Sequence, residues 1–272
     1  MLRNTKDLEN YVVGALDGHI GHVKDFLFDD DLWVVRYLVV YTGSWLSGRR
    51  VLVSPIALAH PGPHGRTLTA AITREQVRAC PDVDGQRSVT RHHEIEFVNH
   101  YGYPNYWGGT SMWNGGLFPY AMRPGYPGSG QAEAEREREE AGYRAAMRDR
   151  LCNDDPHLRS CRAMDGFHVH ASDGDIGQVC GFLVDVESWA LRALILDTGD
   201  WWRGHKVLVA PQRIVHVSWA DKAVSVALAR EAVMNAPRYD AHAAWSPGQV
   251  LDVCQAGPLE DPASSRALEP AP

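Results

Sequence analysis

Hydrophobic positions along this chain fall in short runs, either alternating or continuous, and not at helical spacing. Across residues 33–41 both alternating sets are apolar: Trp33, Val35, Tyr37 and Val39 on one side, Val34, Leu38 and Val40 on the other, interrupted only by Arg36. A strand of that kind is covered on both faces. Residues 189–196 repeat the pattern. The neighbouring segments are short, rich in Val, Ile, Leu and aromatic residues, and separated by Gly, Asp and Asn, which predicts a meander of five or six strands in each half. Each meander closes with a helix-forming stretch, 73–77 or 229–233, stopped by Pro81 or Pro237.

The two halves are copies. Asp17-Gly-His-Ile-Gly-His-Val returns as Asp173-Gly-Asp-Ile-Gly-Gln-Val, an offset of 156, and 19 of the 39 residues from 17 to 55 are identical at that offset. Phe26/Phe182, Asp29/Asp185, Trp33/Trp189, Arg36/Arg192 and Leu38/Leu194 are among them. The match runs on through Thr42-Gly43/Thr198-Gly199, Trp45/Trp201, Val51-Leu-Val-x-Pro55/Val207-Leu-Val-x-Pro211 and Pro81/Pro237. A repeat of this length is one structural unit used twice. The expected layout is repeat 1 over 1–90, a linker over 91–156, repeat 2 over 157–245 and a disordered tail over 246–272. A small sheet alone has little core, so the outer apolar faces of the two repeats are expected to cover each other as a pseudo-two-fold pair.

The linker changes character twice. Residues 101–130 hold eight glycines, eight aromatic residues and four prolines with one charge, Arg123, a composition that opposes any regular element. That much aromatic area needs a cover, so an irregular strap on one repeat or a contact with a partner is expected. Residues 131–150 turn to Ala, Glu and Arg with Glu133/Arg136 and Glu140/Arg144 at helical pair spacing, which predicts a solvated helix.

Charge and composition narrow the function classes. The net charge is −7, with 44% hydrophobic residues. Ten basic and ten acidic residues in 1–90, and nine and ten in 157–245, leave neither repeat the concentrated basic face that nucleic-acid binding requires. No apolar run is long enough to span a membrane, and the N-terminal residues lack a secretory pattern. Five scattered cysteines without a Cys-x-x-Cys pair fit reduced thiols in the cytoplasm.

Catalytic signatures are missing from the sequence: no Gly-x-Ser-x-Gly elbow, no phosphate loop, no dinucleotide fingerprint and no His-Glu-x-x-His. The expectation is therefore no enzyme, no catalytic or metal residues and no cofactor. Asp29, Asp30 and Asp31, like Asp185 and Glu187, read as turn caps because they lack the order of a calcium loop. His92, His93 and Glu94, or His168 and His170, could offer ligands, but repeat 1 has Val12 and Gly14 where repeat 2 has the latter pair.

Partner-binding candidates lie in two places. One is the loop after the Thr-Gly turn: Trp45, Arg49 and Arg50 in repeat 1, and Trp201, Trp202, Arg203, His205 and Lys206 in repeat 2. Aromatic and Arg side chains in such loops suit interaction hot spots, although the shared Trp45 and Trp201 also suit a plug at the end of the sheet. The other is the aromatic linker, with Tyr106, Trp107 and Trp113.

The run Asp17-Gly-x-Ile-Gly-x-Val-x-Asp-Phe-Leu-Phe-Asp, the Trp-Val-Val-Arg-Tyr-Leu-Val-Val strand and Val51-Leu-Val-Ser-Pro resemble the PRC-barrel. That domain forms the cytoplasmic part of the photosynthetic reaction-centre H subunit and the C-terminal half of a ribosome maturation factor. The resemblance implies an all-β fold, two small PRC-type β-barrels in tandem, acting as a non-enzymatic module that binds an unknown protein partner or serves as a scaffold, with a peripheral contact at the cytoplasmic membrane permitted by the aromatic segment. The alternatives are a reaction-centre H-like role, a ribosome- or RNA-associated factor, and an uncharacterised enzyme. The H subunit has a membrane helix ahead of one barrel and the maturation factor a separate RNA-site domain; this sequence shows two copies and neither addition.

Overall fold

The computed structural model describes residues 1–59, 65–80, 89–107, 111–114, 116–124, 158–199, 204–236, 238–241, 243, 245 and 250. The helix expected over 131–150 and nearly all of the tail expected over 246–272 lie outside the described residues.

In chain order the strands are β1 (Leu2–Asn4), β2 (Val12–Ala15), β3 (Gly18–Asp29), β4 (Val34–Tyr41), β5 (Arg50–Val53), β6 (Thr67–Thr69) and β7 (Leu158–Ser160). They continue as β8 (His168–Ala171), β9 (Gly174–Asp185), β10 (Leu191–Asp197), β11 (Lys206–Val209), β12 (Ile214–Ser218) and β13 (Ala223–Val226). The α-helices among the described residues are α1 (Thr5–Leu8), α2 (Arg74–Ala79), α3 (Arg91–Tyr101) and α4 (Arg230–Met234). Among the described residues the protein is mostly β, in two sheets.

These strands divide between two compact units whose limits differ from those of the sequence repeats. One, here the first unit, comprises Asp7–Cys161 and Val186–Ala190; the second comprises Met1–Lys6, Arg162–Asp185 and Leu191–Pro272. The first unit holds the sheet β5-β4-β3-β2-β6 with β7 added to the end of β3, and the second holds β11-β10-β9-β8-β13-β12 with β1 added to the end of β9. The additions are equivalent. Leu2 lies opposite Asp185 and Leu158 opposite Asp29, and both pairs are related by the offset of 156. The first strand of each repeat therefore completes the sheet built mainly from the other.

The repeated signature has a local cause at each position. A Cβ on Gly21 would sit 2.0 Å from the Tyr41 carbonyl oxygen, and one on Gly177 2.0 Å from that of Asp197. Only glycine lets the strands approach that closely. Asp17 Oδ1 accepts the Arg74 backbone N–H at 2.8 Å and Asp173 Oδ1 that of Arg230 at 2.7 Å, so each aspartate ties the closing helix to the first hairpin. Trp33 and Trp189 have φ of 54° and 60°. They end turns and do not start strands, which corrects the expectation that the strands begin at these residues. Asp29 Oδ1 accepts the N–H groups of Asp31 at 2.9 Å and Leu32 at 3.2 Å within the first of these turns.

In the first unit the core contains Val13, Ile20, Val23, Phe26, Leu38, Val40, Val53 and Leu68, with Leu38 opposite both Phe26 and Val53. Tyr37 points to a different neighbour, its ring edge-on to Phe97 at 4.9 Å. Helix α3 thus covers that face, with Glu94, Phe97, Val98 and Tyr101 buried at i, i+3, i+4 and i+7. An acid at the head of that stripe hides the helix from a hydrophobic pattern. In the second unit the corresponding cover combines Leu2 with Leu183, Ala193, Ile195, Leu208 and Val250, against which Tyr239 and Trp245 pack. Val250, inside the stretch expected to be a disordered tail, is buried and joins this core.

Candidate functional site

At one end of the first unit, the loop after β4 folds as a single 3-10 turn over Gly43–Leu46 and closes through Thr42, whose Oγ1 donates to the Arg49 carbonyl at 3.0 Å. This presents Trp45 half-buried, with Nε1 donating to the Ile20 carbonyl at 2.5 Å and the Arg74 guanidinium 4.2 Å from the ring centroid. Trp45 therefore plugs the sheet end and keeps one edge at the surface. Arg49 is half-buried and Arg50 exposed. Leu16 is 68% exposed in the β2–β3 turn, next to Asp17, which holds the Arg74 amide. In the second unit the same closure recurs, Thr198 Oγ1 donating to the His205 carbonyl at 2.8 Å. His205 is half-buried and Lys206 exposed. Trp201, Trp202 and Arg203 lie outside the described residues.

The linker aromatics occupy a different environment. Arg36 is buried, its guanidinium 4.0 Å from the Tyr106 ring centroid and 4.8 Å from that of Trp113. Nη1 donates to the Met112 carbonyl at 2.5 Å and Nη2 pairs with Asp29 Oδ2 at 3.1 Å. Trp113 Nε1 donates to the Ser188 carbonyl at 2.8 Å. Tyr106 OH donates to Glu94, a carboxylate with no exposed surface that also pairs with Arg91 at 2.9 Å. Arg91 lies 4.4 Å from the ring of half-buried Trp107. Two cations and two carboxylates thus compensate each other in a largely buried, aromatic setting, with Arg91 reaching the surface, the condition under which buried charge is tolerated. Tyr106 and Trp113 spend their surface inside their own unit. The strap expected from 101–130 is present in its described part, fastened further by Arg123, which donates to the carbonyls of Ile56 at 2.7 Å and of Leu58.

Burial, and then the Glu94 charge, push the phenols of Tyr37 and Tyr106 well above the ordinary range. Burial pushes Tyr103 up to about 12 against the opposing Arg123. Desolvation likewise raises the thiols of Cys161 and Cys180. A thiol held protonated is a poor nucleophile at neutral pH.

The second unit carries an open groove of about 660 Å³ lined by Asp165, His168, Asp175, Gln178, Cys180 and Asp197, among others. Its carboxylates are engaged: Asp165 with Lys6 at 2.9 Å, Asp175 with His170, and Asp197 with the Gly199 N–H at 3.0 Å. His92 and His93 lie on α3, where His92 pairs with Glu96 at 3.2 Å while Glu94 turns inward. Among the described residues, no group of three His, Cys, Asp or Glu side chains is placed to hold a metal ion, and no helix is long and apolar enough to cross a membrane.

The structure thus brings Trp45 together with Arg74, a residue that sequence reading passed over because its partner ring is 29 positions away in the chain. Leu16 was missed for want of any motif. No protein-family model matches the chain, and no curated protein matches it.

Proposed function

We propose that this chain is a non-enzymatic binding or scaffold module made of two PRC-type barrels, and that the Trp45 end of the first unit faces its protein partner. The observation that carries this reading is Leu16, an exposed large apolar side chain in the turn beside a half-buried tryptophan stacked on arginine. Apolar, aromatic and Arg groups side by side form the composition of an interaction hot spot. The reduced thiols of Cys161 and Cys180 support a cytoplasmic setting.

A photo-crosslinker at Leu16 tests it in native lysate. A discrete partner should be captured by the otherwise unaltered protein and lost with Trp45→Ala or Arg50→Glu, while a crosslinker at exposed Met234 captures none. Equal capture from both positions would remove this surface from consideration.

A further inference from the structure

The two repeats differ in sequence at the segment that follows the Val-Leu-Val-x-Pro motif. In the second unit the sheet runs out to β12, which pairs with β13 and with no other strand among the described residues. Its irregularity falls at the start, between Ile214 and His216, after which His216, Val217 and Ser218 continue in register with Ser225, Val224 and Ala223. Among the described residues, no backbone hydrogen bond from residues 214–218 reaches beyond β13. Val215 is 63% exposed and His216 is exposed as well.

Repeat 1 has prolines in the equivalent stretch. Pro61 stands where repeat 2 has Val217, and Pro63 where it has Trp219. Proline removes the donor that edge pairing needs, and charges or prolines are the usual means by which proteins keep an edge from joining another chain. Within one chain, then, one copy of the segment carries prolines in its sequence, while the other is uncharged from Ile214 to Ser218, β-branched at three of five positions and, among the described residues, open on one side.

We propose that the β12 edge pairs antiparallel with β12 of a second copy of this chain. A two-fold axis at His216 places Val215 of each copy opposite Val217 of the other, covering exposed apolar surface on both, and no Asp, Glu, Lys or Arg side chains meet within the strands. A five-residue ladder buries less than the roughly 1,200 Å² of a stable interface. The association is accordingly weak and concentration-dependent. It does not depend on the partner-facing role of the Trp45 end.

Sedimentation of the full chain from about 1 μM to about 1 mM spans the affinities such an interface can reach. The average mass should rise toward that of a dimer, and Val215→Lys should weaken the association at least about tenfold with an unchanged melting curve. In the unaltered protein the amides of residues 214–218 should exchange more slowly as concentration rises, a readout that needs no variant. A monomer throughout the range overturns the proposal. So does a dimer that Val215→Lys leaves intact, or edge amides whose exchange is independent of concentration. If another protein slows these amides while the chain stays monomeric, the edge takes a foreign strand and the second copy is excluded.

Discussion

The guanidinium of Arg36 lies 4.0 Å from the ring centroid of Tyr106, joining the most deeply buried strand of the first unit to a linker that is not part of the repeat. Repeat 2 has the same arginine and aspartate, Arg192 and Asp185, 3.4 Å apart, but there the arginine side chain is 27% exposed. The Asp–Arg pair belongs to the repeated frame, and around Arg36 two rings of the linker are added to it.

Arg36→Ala should destabilise the first unit by about 3–5 kcal/mol, because it leaves Asp29 buried without its counter-charge and two rings without the group between them. Arg36→Lys should recover only part of the loss, since an ammonium does not stack as a guanidinium does. Urea unfolding followed by tryptophan fluorescence measures both, with Arg192→Ala expected to cost less.

Gly21→Ala and Gly177→Ala should each be severely destabilising, above about 4 kcal/mol, since the added methyl would meet a carbonyl oxygen at 2.0 Å. Gly43→Ala is the control. Nothing lies within 4 Å of its Cβ position, and its φ of +65° limits the cost to about 1–2 kcal/mol. Thermal melts of the three variants give the ranking.

Removing the helix ties gives a graded pair. Asp17→Ala and Asp173→Ala should each cost about 1 kcal/mol. The loss should be larger for Asp173, because α2 keeps a Thr73/Gln76 capping box whereas Ala229 offers α4 no side-chain cap. Hydrogen exchange in α2 and α4 resolves the difference.

Alkaline pH should unfold the first unit together with its tyrosines. The phenols of Tyr37 and Tyr106 are raised in the folded state, so the stability they confer is complete below the unfolded value of about 10. Above that pH the unfolded chain binds fewer protons than the folded one, and stability falls as pH rises. Phenolate absorbance should therefore appear in one cooperative step coincident with loss of tryptophan fluorescence. Tyr37→Phe/Tyr106→Phe should shift the step to higher pH.

The repeat, the meander, the closing helices and the strap over residues after 101 were legible in the sequence because each rests on local composition or on identity at a fixed offset. Helix α3 was not, since its buried stripe begins with Glu94, which faces Tyr37 from a distant part of the sequence. The limits of the compact units were also hidden. Leu2-Arg3 and Leu158-Arg159 match at the same offset, but two residues are too few to announce a strand, and nothing local says to which sheet it belongs. At the candidate site, the loop bearing Trp45 could be found from its Thr-Gly turn, while the stacking of Arg74 on that ring depends on tertiary structure.

The crossed membership of β1 and β7 bears on how the chain is made. Synthesis delivers repeat 1 first, yet the first unit includes β7 and Val186–Ala190, so it stays incomplete until the ribosome has passed Ala190. Until β7 emerges the end of β3 is an uncovered template, available to any nascent strand, including β7 of a neighbouring chain on the same message. Domains that fold as they emerge escape such mispairing. This chain cannot use that order, and its yield of correctly threaded molecules should fall with the density of ribosomes translating it.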